Sequence, residues 1–233
     1  VVKDHLYVAQ GRYCNKSIIS IDTKEELSPK VLVESRGSNR TFIKNPVTDS
    51  FAFISSRSGS HEVWLYENKK YTQLSNFEKR LNDGAFAWSS DGKSILLVED
   101  NNIWAIEVNT FNVNKVKEVN STILSLVSVN ENEWLYSAYE NNLWQGYLWN
   151  AKTQNSNIIS NLTIKTFKKN NNGDIFFRTQ DDAIYRYIAD SDQYELMTSI
   201  DAGCSDWIIE KSTLYCLDDE GLKKRNLSQD KME

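Results

Sequence analysis

Residues 84–108 read GAFAWSSDGKSILLVEDNNIWAIEV. Near the middle of this stretch, Asp91-Gly92 separates two apolar runs, and such a dipeptide favours a tight β-hairpin because glycine accepts a positive φ angle without a side-chain clash. The run Ser94–Val98 is almost wholly apolar, as in a strand that is buried on both faces. A polar turn at Glu99–Asn102 then precedes Ile103–Val108. The stretch therefore predicts three consecutive antiparallel strands.

The same pattern recurs along the whole chain. An aliphatic residue followed by an aromatic one stands at positions 63–64, 103–104, 143–144 and 184–185, so the pair repeats every 40 or 41 residues. A period of this size indicates one supersecondary unit that is copied several times. In each copy short β-type runs alternate with turn residues, and no apolar period of 3.6 residues persists for three turns. We therefore expect almost no helix.

The number of copies predicts the architecture. Six copies of about 40 residues account for nearly all of the 233 residues, and most copies contain four strand-like runs. We therefore predict an all-β, six-bladed β-propeller of four-stranded antiparallel blades, in a single domain over residues 1–233, with five to seven blades possible. The first and last copies contain only three clear runs each, so the terminal blades are expected to be incomplete or shared.

The recurrent aromatic residues are interpreted as packing between blades. A sheet with two apolar faces cannot bury them alone, and large side chains at one repeated position would fill the layers between neighbouring sheets. The alternative is an aromatic cage for a ligand. The residues concerned are Trp64, Trp104, Trp144 and Tyr185.

Composition limits the possible partners. The net charge of −5 and the isoelectric point near 5.3 argue against the basic surface of a duplex-binding domain, so we expect no direct nucleic-acid contact. No run approaches the roughly 18 apolar residues that cross a bilayer, so a membrane would be reached only through a segment outside this chain. The chain begins at Val1 rather than at Met, and any targeting segment is expected upstream.

Three cysteines allow at most one internal disulfide. Cys204 and Cys216 fall on adjacent predicted strands of the last copy, which is compatible with a bridge, and Cys14 would then be left over. The alternative is that these residues are buried thiols that pack as small hydrophobic side chains.

Two neighbouring copies resemble a known family. Residues 86–95, FAWSSDGKSI, resemble the W-S-P-D-G-K signature of Tol-type, WD40-like propeller repeats, with Ser90 where that family usually has proline. Residues 51–64, FAFISSRSGSHEVW, are similar to the F-x-S-x-R-x-G-x-x-x-I/V-W stretch of the same family. Among proteins with such propellers, the chain looks most similar to the periplasmic C-terminal propeller of CadC/ToxR-type membrane-anchored winged-helix transcription regulators.

The resemblance implies a non-catalytic sensing or protein-interaction propeller. It would be the extracytoplasmic, periplasmic part of an inner-membrane protein, and it would bind a protein partner or a small ligand at the propeller face. One alternative is a Tol-Pal-type periplasmic translocation accessory protein. Another is the gating propeller of a prolyl-oligopeptidase-type serine peptidase.

Candidate binding residues lie on loops or strand ends of the two copies with the family signature: Arg57, His61, Trp88 and Asp91. The last two are explained equally well by structural roles. No catalytic residue is expected, because the two histidines are far apart in sequence and no G-x-S-x-G elbow occurs. The acidic loops lack EF-hand spacing and no Cys/His cluster has zinc spacing, so no metal and no cofactor are expected.

Overall fold

The computed structural model describes residues 5–12, 15–22, 29–34, 37–79, 81–201 and 203–228. Across these ranges it contains twenty-two β-strands in six antiparallel sheets, and no helix. The predicted all-β, six-bladed β-propeller is therefore confirmed. The chain forms two compact units, Val1–Asn120 and Ser121–Glu233, with three sheets each. That residues 1–233 form a single domain stays a prediction.

The first unit contains the first, second and third blades. The first blade pairs its strands in sequence order and has three of them among the described residues: β1 (His5–Arg12), β2 (Asn15–Asp22) and β3 (Pro29–Val33). The second and third blades have four strands each: β4 (Asn39–Lys44), β5 (Phe51–Ser55), β6 (Glu62–Glu67), β7 (Lys70–Gln73), and β8 (Leu81–Trp88), β9 (Ser94–Glu99), β10 (Asn102–Glu107), β11 (Val113–Glu118).

The second unit contains the remaining blades. The fourth and fifth have four strands each: β12 (Thr122–Ser128), β13 (Glu133–Glu140), β14 (Leu143–Asn150), β15 (Ser156–Ile158), and β16 (Ile164–Lys169), β17 (Ile175–Thr179), β18 (Ala183–Ile188), β19 (Gln193–Ser199). Within the described residues the sixth blade has three: β20 (Asp206–Glu210), β21 (Thr213–Asp218) and β22 (Gly221–Asn226). The expectation of incomplete terminal blades agrees with this count.

The apolar core lies in layers between consecutive blades of one unit. Between the second and third blades, Ile54 and Val63 pack with Phe86 and Ile95. The fourth and fifth blades, and the fifth and sixth, are joined by similar layers. Each fully buried side chain of this size contributes about 1.5–3 kcal/mol, so these layers supply most of the stabilisation of each unit.

The aromatic half of each repeated pair lies at the margin of these layers. The aliphatic members Val63, Ile103 and Ile184 are fully buried, whereas their aromatic neighbours are only half-buried. The fourth pair differs, because Leu143 is largely exposed. Packing between blades thus depends first on the aliphatic residues, and Trp64, Trp104 and Tyr185 pack against the buried clusters while partly buried themselves.

A repeated β-bulge marks the first strand of three blades. One extra residue stands opposite the second strand at Thr41, Leu124 and Lys165. In the fifth blade the preceding blade satisfies the bulge, because Ser137 Oγ donates to the carbonyl of Lys165 at 2.8 Å. Bulges increase the local twist of a strand, and polar contacts of this kind fix where that twist occurs.

Turns between first and second strands carry a second set of contacts between blades. In the β4–β5 turn, Asn45 Oδ1 accepts from the amides of Val47 and Thr48, and Asn45 Nδ2 donates to the carbonyl of Gly92 in the third blade at 2.8 Å. In the fifth blade, Asn170 closes its own turn in the same way, and its Nδ2 donates to the carbonyl of Ile209 at 3.2 Å.

Gly92 is expected to be sensitive to substitution for two reasons. Its φ is +69°, and a Cβ atom there would lie 2.4 Å from Asn45 Oδ1. We predict that Gly92→Ala lowers the free energy of unfolding by about 2 kcal/mol, from the left-handed backbone and the disturbed hydrogen bond. In the Asn45→Ala background only the backbone cost remains, about 1 kcal/mol. Urea denaturation of the four proteins of this cycle measures both values, and equal costs in the two backgrounds would contradict the contact.

Candidate functional site

The four candidate residues lie at two opposite ends of the strands of the first unit. Arg57 and His61 are in the β5–β6 turn, and the pairing of Ser55 with Asn39 places this turn beside the start of β4. Trp88 ends β8 and Asp91 lies in the β8–β9 turn, which contacts the turn at the end of β4 through Asn45 and Gly92. The structure therefore brings the candidates together as two pairs, not as one site.

Trp88 is part of the core. Its side chain is 5% exposed, packs in the layer between the second and third blades, and donates from Nε1 to the carbonyl of Ile43 at 3.2 Å. The residue offers little surface to a ligand. Its contacts with the second blade give it a structural role.

Asp91 holds the β8–β9 turn. Its Oδ1 accepts from Ser89 Oγ at 2.7 Å and from the amide of Lys93 at 3.1 Å, and the Lys93 ammonium is 3.5 Å from Oδ2. The hydrogen bond from Ser89, together with those from Lys93, holds the pKa of Asp91 below its usual value. A depressed carboxyl pKa means that the folded turn favours the ionised form.

The shift predicts a pH-dependent effect of Asp91→Asn. Because the folded pKa of Asp91 lies below the unfolded one, its charge stabilises the fold above the unfolded pKa of about 3.9, and this contribution disappears as pH falls through the folded pKa. The variant should be less stable at pH 7 by less than about 1 kcal/mol, as is usual for a partly exposed charge. Thermal melts of both proteins from pH 7 to pH 2 should converge at the acid end, and a constant difference would contradict this origin.

Arg57 is held over a group of three aromatic rings. Its guanidinium carbon lies 4.3 Å from the ring centre of Tyr71, 4.8 Å from that of Phe53 and 5.0 Å from that of Trp64. Nε donates to Ser55 Oγ at 3.2 Å, and Nη2 donates to Asn39 Oδ1 at 3.3 Å. Burial lowers the pKa of Arg57, which remains a cation.

Strand pairing explains why these rings meet. Phe53 on β5 stands directly opposite Trp64 on β6, and Trp64 stands opposite Gln73 on β7. Tyr71 is two residues from Gln73, so its ring lies on the same side of the sheet as the other two. The F-x-x-x-R spacing then brings the arginine back over them from the turn.

A buried carboxylate fixes the base of the same turn. Glu62 has no exposed surface, and its oxygens accept from Ser75 Oγ at 2.6 Å, Ser60 Oγ at 2.9 Å and the amide of Phe77 at 3.0 Å. His61 precedes it and is half-buried. Glu62 therefore has a structural role that sequence reasoning missed, because its donors lie up to 15 residues away along the chain.

A second surface, which sequence reasoning also missed, lies at the β13–β14 hairpin. Tyr139 is 43% exposed and Leu143 51% exposed, and the Tyr139 ring centre lies 5.1 Å from that of Trp144. The fourth strand of this blade is short and pairs only with Tyr147–Trp149. Among the described residues, no strand pairs with the outer edge of Leu143–Gln145. The polar run Thr153–Asn157 was the only sign of this in the sequence.

Cys204 and Cys216 form a disulfide in the sixth blade. Their Cα atoms are 5.7 Å apart, and the bond joins the segment before β20 to β21. The carbonyl of Cys204 accepts from Arg178 Nη1 at 2.9 Å, and Arg178 Nε donates to Asp182 at 2.8 Å, which ties this segment to the fifth blade. Cys14 lies outside the described residues. Disulfides of this kind are typical of oxidising, extracytoplasmic compartments.

Replacement of both cysteines by serine is expected to lower the free energy of unfolding by about 3 kcal/mol, because a cross-link over 12 residues restricts the unfolded chain. Urea denaturation with and without dithiothreitol provides the measurement. The reductant should bring the wild type to the stability of the variant and leave the variant unchanged. A wild type that is insensitive to full reduction would contradict the prediction.

The described part of the chain shows neither a metal site nor a membrane-spanning helix. No group of three or more His, Cys, Asp or Glu side chains there has a metal-binding arrangement. Nor does that part contain a helix of the length and apolar character that a bilayer crossing requires.

Comparison with known proteins identifies the fold and no family. No protein-family model and no curated protein matches the chain. Among solved structures, a chain of the nidogen/laminin complex superposes with a TM-score of 0.75 at 9% identity, over 98% of this chain and 92% of that one. TolB from Acinetobacter baumannii superposes with a TM-score of 0.72 at 15% identity, over 95% of this chain. The matched part is 60% of the TolB chain.

An enzyme shares the fold as well. An oligogalacturonate lyase in complex with manganese gives a TM-score of 0.56 at 11% identity, over 97% of this chain and 82% of that one. At these identities the likeness shows the fold alone. The chain is thus a β-propeller, a fold that it shares with TolB, with a chain of the nidogen/laminin complex and with an enzyme. These matches do not show a similarity to CadC/ToxR-type regulators.

Proposed function

We propose that the chain is a non-catalytic propeller that binds another protein, and that it is the sensor domain of a membrane-bound transcription regulator. The observation that carries the binding function is the end of the β13–β14 hairpin, where Tyr139 and Leu143 are exposed. Tyr139 stands opposite Trp144 on one face of the sheet, and Leu143 lies on the other face. Tyr and Trp are enriched at protein interfaces, and a partner strand added at this hairpin would contact side chains on both faces of the sheet.

The open strand edge beside these residues supports the same function. The backbone of Leu143–Gln145 has no strand on its outer side among the described residues, whereas in the third blade the fourth strand pairs from Asn102 onward. An exposed edge presents N–H and C=O groups to which a partner strand can be added. The aromatic pair then offers side-chain contacts next to main-chain hydrogen bonds.

The comparisons support protein binding in general terms. The chain of the nidogen/laminin complex belongs to an assembly of two proteins, and it aligns with nearly the whole of this chain. TolB supports the Tol-type resemblance of residues 51–64 and 86–95. A Tol-Pal-type accessory protein is therefore the second candidate function.

The disulfide supports a place outside the cytoplasm. The Cys204–Cys216 bond would persist in a periplasm and is rare in a reducing cytosol. We propose a periplasmic location, as the extracytoplasmic part of an inner-membrane protein whose membrane segment lies outside this chain. A gating propeller of a prolyl-oligopeptidase-type enzyme is the remaining alternative.

The complete open reading frame separates these three functions. A winged-helix domain and one membrane span upstream are expected for the regulator. A cleaved signal peptide with no membrane span would contradict the regulator and favour the translocation protein. A downstream domain with a G-x-S-x-G elbow would establish the peptidase instead.

The binding surface itself is tested by site-specific photo-crosslinking in cells that make the full-length protein. A photoreactive phenylalanine at Leu143 should give one dominant protein adduct, and Tyr139→Ser should reduce its yield several-fold. The matched control is the same group at Val47, which is 67% exposed and lies in a turn of the other unit. The same adducts from both positions, or none from Leu143, would contradict an interface at this hairpin.

A further inference from the structure

We infer that Arg57 is a receptor for a carboxylate group of an acidic segment in the protein partner. The inference rests on the proposed function only in taking the ligand from a protein. Arg57 is half-buried, and among the described residues no carboxylate pairs with its guanidinium. By contrast, Arg178 pairs with Asp182 and Arg186 with Asp174. A half-buried cation without a counter-charge is costly, and a bound anion would remove that cost.

The guanidinium retains free donors. Arginine has five N–H groups in a planar fork, and Arg57 uses one at Nε for Ser55 and one at Nη2 for Asn39. Within the described residues, no acceptor takes the other three. The rings of Phe53, Trp64 and Tyr71 lie within 5.0 Å of the guanidinium carbon and accept neither of the two hydrogen bonds, so an edge of the fork remains for a ligand. A carboxylate fits such an edge with two parallel hydrogen bonds.

The anchors of Arg57 are themselves fixed. Ser55 Oγ donates to Asn39 Oδ1 at 2.7 Å, and both residues have no exposed surface. Three rings and two buried acceptors thus hold one guanidinium before any ligand arrives. A side chain that is already ordered loses little conformational entropy on binding, which favours affinity.

The site is open to solvent. Ser58, Gly59 and Ser60 are exposed, and a Cβ built on Gly59 would meet nothing within 4 Å. Tyr71, whose ring is closest to the guanidinium, is 41% exposed. A side chain of a partner can therefore approach Arg57 along the β5–β6 turn.

The fifth blade shows that the fold does not require this arginine. It repeats the three rings as Phe177, Tyr185 and Tyr194, with centroids 5.2–5.6 Å apart, and packs them against one another. Asp181 stands four residues after Phe177, where the second blade has Arg57 four residues after Phe53. The ring layer therefore forms without a cation, and a purely structural role leaves Arg57 unexplained.

The backbone of the turn favours a carboxylate over a phosphate. Phosphate sites usually combine several cations or a nest of free backbone amides. In this turn the amide of Arg57 contacts Ser55 Oγ at 3.3 Å and the amide of Gly59 donates to Ser56 at 3.0 Å, so these donors are in use. The remaining N–H groups of the single Arg57 guanidinium match one carboxylate. Because the net charge is −5, binding depends on this local group and not on the charge of the whole chain.

A fluorescein-labelled tetraglutamate peptide tests the inference by fluorescence anisotropy at low salt. Arg57→Met, which keeps the bulk and loses the charge, should weaken binding about tenfold or more. The peptide affinity of Arg57→Lys should lie between those of the wild type and Arg57→Met, because lysine keeps the charge and loses the planar fork of donors. Arg186→Met is the matched control that removes one positive charge elsewhere, and it should bind like the wild type. Equal binding by wild type and Arg57→Met, or equal loss in Arg186→Met, would overturn the inference.

A second measurement needs no variant that might be misfolded. In wild-type protein labelled with ¹⁵N, the Nε–Hε signal of Arg57, assigned by triple-resonance experiments, should shift on addition of sodium acetate and not of sodium chloride at the same ionic strength. No difference between the two salts would overturn the inference, and so would a larger shift with inorganic phosphate at the same ionic strength.

The outcomes for the two proposals are distinguishable. Loss of crosslinking at Leu143 with intact peptide binding at Arg57 would contradict the proposed interface and support this carboxylate site. The reverse result would overturn the carboxylate site and leave the interface standing.

Discussion

A hydrogen bond from a turn asparagine to the main chain of the following blade sets the second blade against the third and the fifth against the sixth. Asn45 reaches Gly92 and Asn170 reaches Ile209, in each case with the side-chain oxygen occupied by its own turn. Both asparagines are buried, so an unpaired amide would be costly. Apolar layers supply most of the energy, but they have no directional preference. These hydrogen bonds add direction to the packing.

The period of 40 residues predicted the strands, the turns and the number of blades because alternation and turn residues are local properties of the chain. Contacts between residues far apart were not predictable in this way. The bond from Asn45 to Gly92 spans 47 residues, and nothing near Asn45 shows its partner. The same holds for the margin position of Trp64 and Trp104, since burial depends on the neighbouring blade and not on the repeat.

The family signature predicted Arg57 as a candidate residue, but it did not show which residues hold the side chain in place. The three rings beneath it come from three strands, and only strand register shows that they share one side of the sheet. Trp88 and Asp91 belong to the same signature and have contacts within the fold, so the signature combines framework and surface residues. Tyr139 belongs to no motif, and Leu143 was predicted only as a member of the repeated pair at 143–144. Their exposure follows from a fourth strand that pairs with only three residues.

Hydrogen exchange of the Asn45→Ala variant, followed by mass spectrometry, tests most directly whether the turn contacts couple neighbouring blades. Protection is expected to fall in residues 45–50 and also in residues 89–94, which belong to another blade, because Gly92 loses the bond to its carbonyl. The fifth blade, with its own Asn170 contact, should keep wild-type exchange. Loss of protection confined to residues 45–50 would contradict this coupling.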